Sequence, residues 1–238
     1  MSKLSIAQFI EEFYPQYYQW HEYPADECIP FSKVQERWGI FGNFASTPLV
    51  VNGVGFVNSE QLFQMMKFTD AETLTAIHNS RGMKIKYAAK AAEKLGLRRP
   101  DWGQIIIDAM KFCLQTKYNQ SEQFRQALKE TAGKTIVEDQ TRLKKKKADT
   151  WGAKLINSKY EGSNLLGRLL MELRDNGHLV YQLPTDIFDS LQYTVYSLKF
   201  TYNRPPSSTM QSSTVWVDML NDNPILMVFL PSVSNGSA

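Results

Sequence analysis

Little of the usual catalytic equipment occurs in this chain. The three histidines, His21, His78 and His178, have no metal-ligand spacing. Cys28 and Cys113 lie too far apart to form a CxxC pair, so neither a disulfide scaffold nor a zinc knuckle is expected. No GxSxG nucleophile elbow is found. Gly133-Lys134-Thr135 resembles the end of a phosphate-binding loop, but Leu128 stands where that loop needs glycine. A strand, not a helix, is expected to follow it. Chemistry in this chain must rest on carboxylates, aromatic rings and amides.

The carboxylate of first interest is Glu60, in Ser59-Glu60-Gln61-Leu62-Phe63-Gln64-Met65-Met66-Lys67-Phe68. It falls in the first turn of an expected helix, where a glutamate serves either as a capping or dipole partner or as a catalytic group. Asp149 follows in Asp149-Thr150-Trp151-Gly152. Trp151 stands there in a polar loop, where stacking on a base explains it better than a core role and is worth roughly 1–3 kcal/mol. Trp102 opens a helix whose face is otherwise apolar, so core and base platform are both open to it. Asn43, beside Phe44, and Asn164 suit turns or caps, or would bind ribose hydroxyls or phosphate. Lys67, seven residues after Glu60, lies near the same helix face, to meet a phosphate or solvent. Lys144-Lys145-Lys146-Lys147 abuts the Asp149 segment, as a solvated run or an anion-gathering loop.

These residues need a scaffold, and the hydrophobic spacing supplies mostly helices. Helices are expected over residues 5–14, 59–68, 71–78, 83–95, 101–118, 121–131 and 163–174. A hairpin is expected over residues 49–57, turning at Asn52-Gly53. Asn58 or Ser59 should cap the helix that carries Glu60. A strand is expected over 135–138 and a charged loop over 143–151. Residues 15–30 read as aromatic and irregular. After Asn176-Gly177 the texture changes, and residues 193–203, 214–220 and 225–230 read as strands. The expected organisation is an N-terminal helix and irregular segment (1–35), a central domain (36–176) and a β-rich extension (177–238).

Composition narrows the class further. The 238 residues hold 27 Lys and Arg against 24 Asp and Glu, with 43% apolar and 21% charged residues, which excludes a disordered or collagenous chain. The longest apolar run, residues 225–230, is too short to cross a bilayer. Glu11 and Glu12 interrupt the stretch where a signal peptide would continue, so a cytoplasmic protein without membrane contact is expected. Lys199 and Arg204 against Asp186, Asp189, Asp218 and Asp222 leave residues 176–238 at −2 and the rest at +5. That basic excess favours an anionic partner, a phosphorylated nucleotide or nucleic acid, the latter through Lys144, Lys145, Lys146 and Lys147.

Four segments taken in order carry a resemblance. They are Phe41-Gly42-Asn43-Phe44, the Ser59 to Phe68 stretch, Asp101-Trp102 followed by Met110 and Lys117-Tyr118, and Asp149-Thr150-Trp151-Gly152 followed by Gly162-Ser163-Asn164-Leu165-Leu166-Gly167-Arg168-Leu169-Leu170-Met171-Glu172-Leu173-Arg174. Together they resemble the NADAR, or YbiA-like, N-glycosidase family over about residues 36–176. Three departures are visible: Gln61 replaces the family histidine, Asp149 stands two rather than three residues before Trp151, and Lys154 replaces a glycine. The resemblance implies a compact α+β fold, mainly helical with a few short strands. It implies hydrolysis of a ribose–nitrogen bond, in phosphorylated ribosylamino intermediates of riboflavin synthesis or in ADP-ribosylated guanine, including in nucleic acid, with neither metal nor cofactor. Glu60 and Asp149 would then be catalytic, and Asn43, Phe44, Lys67, Trp102, Trp151, Gly152 and Asn164 would bind substrate. Glu138 would lie near the pocket. The alternative is a non-catalytic module that binds ADP-ribose or nucleic acid.

Overall fold

The computed structural model describes residues 5–191, 218–220 and 223–225, and the chain divides after Phe200 into two compact units. The first unit is organised around α5 (Trp102–Gln120), whose Trp102, Ile106, Ala109, Met110, Cys113 and Leu114 are buried as their spacing predicts. Packed on it are α1 (Ile6–Phe13), α2 (Ser59–Met65), α6 (Glu122–Glu130) and α7 (Leu165–Asn176). A second pair, α3 (Ala71–His78) and α4 (Met83–Lys94), packs against α2. The architecture is thus α+β and mainly helical, as expected.

Helix α2 is the element that matters most, because all seven of its residues are buried, polar ones included. Its polar groups therefore need partners inside the protein. Asn58 caps it by accepting the Gln61 N–H. Gln61 fills the place of the family histidine with a bonding role of its own. Its Oε1 accepts from the Val57 N–H, and its Nε2 donates to the carbonyls of Ile77, His78 and Ser80. One amide thus stitches the hairpin of β3 (Leu49–Val51) and β4 (Val54–Phe56) and the end of α3 to the start of α2.

The strands are short and pair across long separations. β1 (His21–Pro24) joins β7 (Lys159–Gly162) and β6 (Lys154–Ile156) in an antiparallel sheet ordered β1-β7-β6. β2 (Cys28–Phe31) runs parallel to β5 (Thr135–Glu138), with Phe31 opposite Glu138. α7 lies flush on β5, because a Cβ at Gly167 would come within 2.2 Å of the Ile136 carbonyl oxygen. The β5 strand matches its expected span. The segment read as irregular, residues 15–30, instead carries β1 and β2, since three- and four-residue strands show almost no alternation until their distant partners are known.

The segments on either side of the expected central domain, 36–176, pack with it. α1 packs on α5 and β2 pairs with β5, so residues 5–35 belong to the first unit. Beyond 177, Leu179, Ile187 and Leu191 enter the same core, the last two within a helical stretch at 186–191. The Leu179 N–H donates to Gln115 Oε1, Lys111 Nζ to the Val180 carbonyl, and Arg99 pairs with Asp186 at 3.2 Å. Removing residues 178–238 should therefore destabilise the protein by several kcal/mol, at about 1.5–3 kcal/mol per large core side chain. Urea denaturation of the truncated and the full chain checks this, and an unchanged stability would mean that Leu179, Ile187 and Leu191 add nothing to the core.

Within the second unit, β8 (Asp218–Leu220) pairs antiparallel with β9 (Asn223–Ile225). The strand expected over 193–203, and most of that over 225–230, lie outside the described residues. Among the described residues no helix is long and apolar enough to cross a membrane.

Candidate active site

A cavity of about 910 Å³ opens where the start of α2, the 42–44 loop, the start of α4, the end of β5 and the 140–151 segment meet. Of the residues expected at the site, Asn43, Phe44, Glu60, Lys67, Asp149 and Trp151 line it. Trp102, Gly152 and Asn164 do not. Glu138, Gln64, Lys86 and Gln140 complete its polar wall.

Glu60 is 4% exposed. Its backbone N–H, one of the donors a helix start leaves over, is taken by the Asn43 carbonyl at 2.9 Å. Its Oε1 accepts from Gln64 Nε2 at 2.7 Å and lies 3.6 Å from Lys86 Nζ. The side chain therefore caps nothing and is directed at a cation and an amide. Lys86 in turn rests 5.0 Å over the ring of Phe44, which gives that aromatic a positioning role. Asn43 is largely committed to the scaffold: its Oδ1 and carbonyl accept from Ser59 Oγ, and its Nδ2 contacts Met110 Sδ at 3.4 Å. The loop before it is pinned by Lys117, fully buried, which donates to the carbonyls of Ile40 and Gly42. Burial, with no counter-ion among the described residues, lowers the Lys117 ammonium to about 7.

Glu138 ends β5 facing this group. Its Oε2 is buried and has no hydrogen-bond partner among the described residues. Part of the residue still reaches the cavity, but crowding by protein raises its carboxyl to about 7, with the Asp149 and Glu60 carboxylates adding to the rise and the Lys86 ammonium and the Gln140 amide opposing it. Asp149 Oδ1 accepts from Gln140 Nε2 at 2.6 Å and from the Trp151 N–H at 3.0 Å, so one carboxylate oxygen fixes both neighbours. Trp151, half-buried, presents its edge to Phe63 at 5.9 Å. Lys67 Nζ pairs with Glu93 at 2.9 Å and lies 5.8 Å from the Phe63 and Trp102 ring centres.

The three residues that the cavity excludes act behind its wall. Trp102 is 1% exposed and packs in the core against Phe63. Gly152 admits no side chain, because a Cβ there would come within 2.5 Å of the Glu138 carbonyl oxygen. Asn164 is fully buried with a left-handed backbone (φ 48°); its Oδ1 accepts the Glu138 N–H and its Nδ2 donates to the Ile136 carbonyl. It fastens the end of β5 and so holds Glu138. Asn164→Ala orphans both groups, at about 1–3 kcal/mol each, and puts alanine in a left-handed conformation that asparagine tolerates better. We expect urea denaturation to show a loss of at least about 3 kcal/mol. A loss below about 1 kcal/mol would point back to a ligand role.

Sequence reasoning named Glu138 only through the resemblance and missed Gln64, Lys86 and Gln140. Gln64 carried a signal, standing one helical turn after Glu60. Lys86 and Gln140 carried none, since each meets the site only through tertiary packing. Among the described residues no group of three or more His, Cys, Asp or Glu is placed to hold a metal ion.

Fold and site together define a small helix-rich α+β domain with a carboxyl- and amide-lined cavity bordered by tryptophan. The sequence model of the NADAR domain matches residues 30–176, and the chain belongs to that family. It is similar to the N-glycosidase YbiA of Escherichia coli (strain K12), 29% identical over 150 residues, which are 63% of this chain and 88% of that protein. It is also similar to a riboflavin biosynthesis protein of Vibrio vulnificus (strain YJ016), 27% identical over 164 residues, 66% of this chain and 41% of that one. The NMR structure of E. coli YbiA matches with a TM-score of 0.51 at 29% identity, covering 63% of this chain and 83% of that chain.

Proposed function

We propose that the protein is an N-glycosidase that hydrolyses the ribose–nitrogen bond of an ADP-ribosylated or ribosylated nucleobase. The observation that carries this reading is the pairing of two differently placed carboxyl groups across one cavity. Glu60 is matched to a lysine, whereas Glu138 is buried, crowded by other carboxylates and left with one oxygen unpaired among the described residues. Paired titratable groups in contrasting surroundings suit a division into charge stabiliser and proton donor.

Cleavage of a ribose–nitrogen bond passes through an oxocarbenium-like state and leaves electrons on the departing nitrogen. Glu60 stabilises the positive anomeric carbon, orients the water that attacks it and takes that water's proton. Glu138, its carboxyl raised to about 7, retains the proton that goes to the leaving nitrogen in part of the molecules at neutral pH. Trp151 offers a face for the base, and Lys86 and Lys67 border the cavity with positive charge. The cavity volume falls within the roughly 300–1,000 Å³ range of small-molecule sites. The names of the YbiA and riboflavin biosynthesis relatives support the reaction class.

Incubation with ADP-ribosylated guanosine and with ribosylamino pyrimidine phosphates, followed by chromatography of the released sugar and base, tests the proposal. Release of ADP-ribose or ribose phosphate is expected from at least one of them. Tight binding without release would identify a non-catalytic module.

A further inference from the structure

Helix α4 has two contrasting faces. Ile85, Ala89 and Ala92 are buried, and the helix packs on α2 and α3. On the other side Met83, Tyr87, Ala91 and Leu95 are all exposed, Tyr87 by 64% and Leu95 by 77%. These four stand four residues apart, so they form one ridge along the helix. Leu95 caps the helix in right-handed helical backbone, which keeps it in line with the others. Leu97, also exposed, extends the apolar end. Single exposed apolar side chains are ordinary, but a contiguous set of them marks an interaction site.

The neighbouring ridge is basic. Lys86, Lys90 and Lys94 repeat at the same spacing on one flank, and Lys84 stands on the other. Lys86 is held by Glu60, but Lys84, Lys90 and Lys94 are exposed and form no ion pair among the described residues. Glu93, the acidic residue of α4, is taken by Lys67 at 2.9 Å. An apolar ridge of this spacing fits the groove between two ridges of another helix, and Ala91 in its middle lets the second backbone come close. The lysine row beside it calls for carboxylates at the same interval. Stacked bases would need a series of rings, and Tyr87 is the one aromatic residue of the ridge. A bilayer has no register, whereas three of these lysines share one flank.

We propose that the exposed face of α4 is a docking surface for an amphipathic α-helix of another protein, its apolar row on Met83, Tyr87, Ala91 and Leu95 and a row of carboxylates opposite Lys90 and Lys94. Met83 and Lys86 also line the candidate active-site cavity, so the docked helix lies beside its mouth. The assignment does not depend on the N-glycosidase reading.

The test measures binding of labelled synthetic helices to the full chain by fluorescence anisotropy. The probe is an alanine-rich peptide with Leu at every fourth position and Glu three residues after each Leu; the control holds the same residues in scrambled order. The ordered peptide should bind at least about tenfold more tightly than the control. Tyr87→Ala combined with Leu95→Ala should weaken it at least about tenfold. Lys90→Glu combined with Lys94→Glu should weaken it similarly, and a peptide with Lys in place of Glu should bind that variant better than it binds wild type. All four positions are exposed, so both variants should melt close to wild type. The proposal is overturned if the ordered and scrambled peptides bind alike, which would mean charge without register, or if neither binds. It is overturned equally if Tyr87→Ala with Leu95→Ala leaves peptide binding unchanged. Vesicles of phosphatidylcholine and phosphatidylserine form a last arm: if they bind through Tyr87 and Leu95 while the ordered peptide does not, the face belongs to a membrane and the helix assignment falls.

Discussion

Glu60→Gln is expected to fold, to bind ADP-ribose, and to lose at least about a hundredfold in turnover. The amide oxygen of the variant can still accept from Gln64 Nε2, so the interior bond is preserved. The ion pair with Lys86 is lost, but the lysine side chain is 47% exposed and can turn to water at little cost. The helix start is also independent of the side chain: Asn58 provides the cap, and the Asn43 carbonyl takes the Glu60 N–H. What disappears is the charge available to an oxocarbenium-like state. Glu60→Asp keeps that charge but withdraws it by one methylene, so its rate should fall between wild type and Glu60→Gln. Folded Glu60→Gln protein with near-normal turnover would remove Glu60 from the mechanism. Asp149 would then be the next candidate, although its Oδ1 is already held by Gln140 and Trp151.

How far the sequence foretells such a site depends on how local its construction is. The Glu60 helix, its Asn58 cap and the hairpin before it are written within about twenty consecutive residues, and each was readable. The same holds for the buried face of α5. Trp151, an aromatic in a polar loop, lines the cavity while its ring also packs against Phe63. Trp102 offers the contrary case, since its own helix supplied the apolar face into which it packs. Asn164 shows a subtler limit. Its type and position suggested a polar contact, and it makes several, but to the backbone of β5 some twenty-five residues earlier. Which partner an amide finds is settled by the parallel β2–β5 pairing and by α7 lying over it. Neither leaves a periodic trace in four-residue strands. Lys86 and Gln140 enter the site the same way, through packing alone.

Glu138 gives the sharpest pH signature. Its carboxyl is raised from the ordinary 4.5 to about 7, first by burial and then by the Asp149 carboxylate. If its proton goes to the leaving nitrogen, turnover should fall about tenfold per pH unit above about 7, as the donor is lost. Glu138→Gln should abolish this limb and lower turnover at pH 6 by at least about a hundredfold. Stability should also fall with rising pH, over a lower window. Between 4.5 and about 7 the folded protein keeps a proton that the unfolded chain has released, so the stability it confers declines as pH rises through that window and is gone above it. At pH 8.5 the wild type carries a crowded, poorly partnered carboxylate that the variant lacks. Glu138→Gln should therefore melt higher relative to wild type at pH 8.5 than at pH 5, while remaining the slower protein throughout. A purely structural Glu138 would shift the melting curves and leave the alkaline limb of turnover in place. Parallel melting curves at the two pH values, with the limb also retained, would mean that Glu138 is neither crowded as described nor the proton donor.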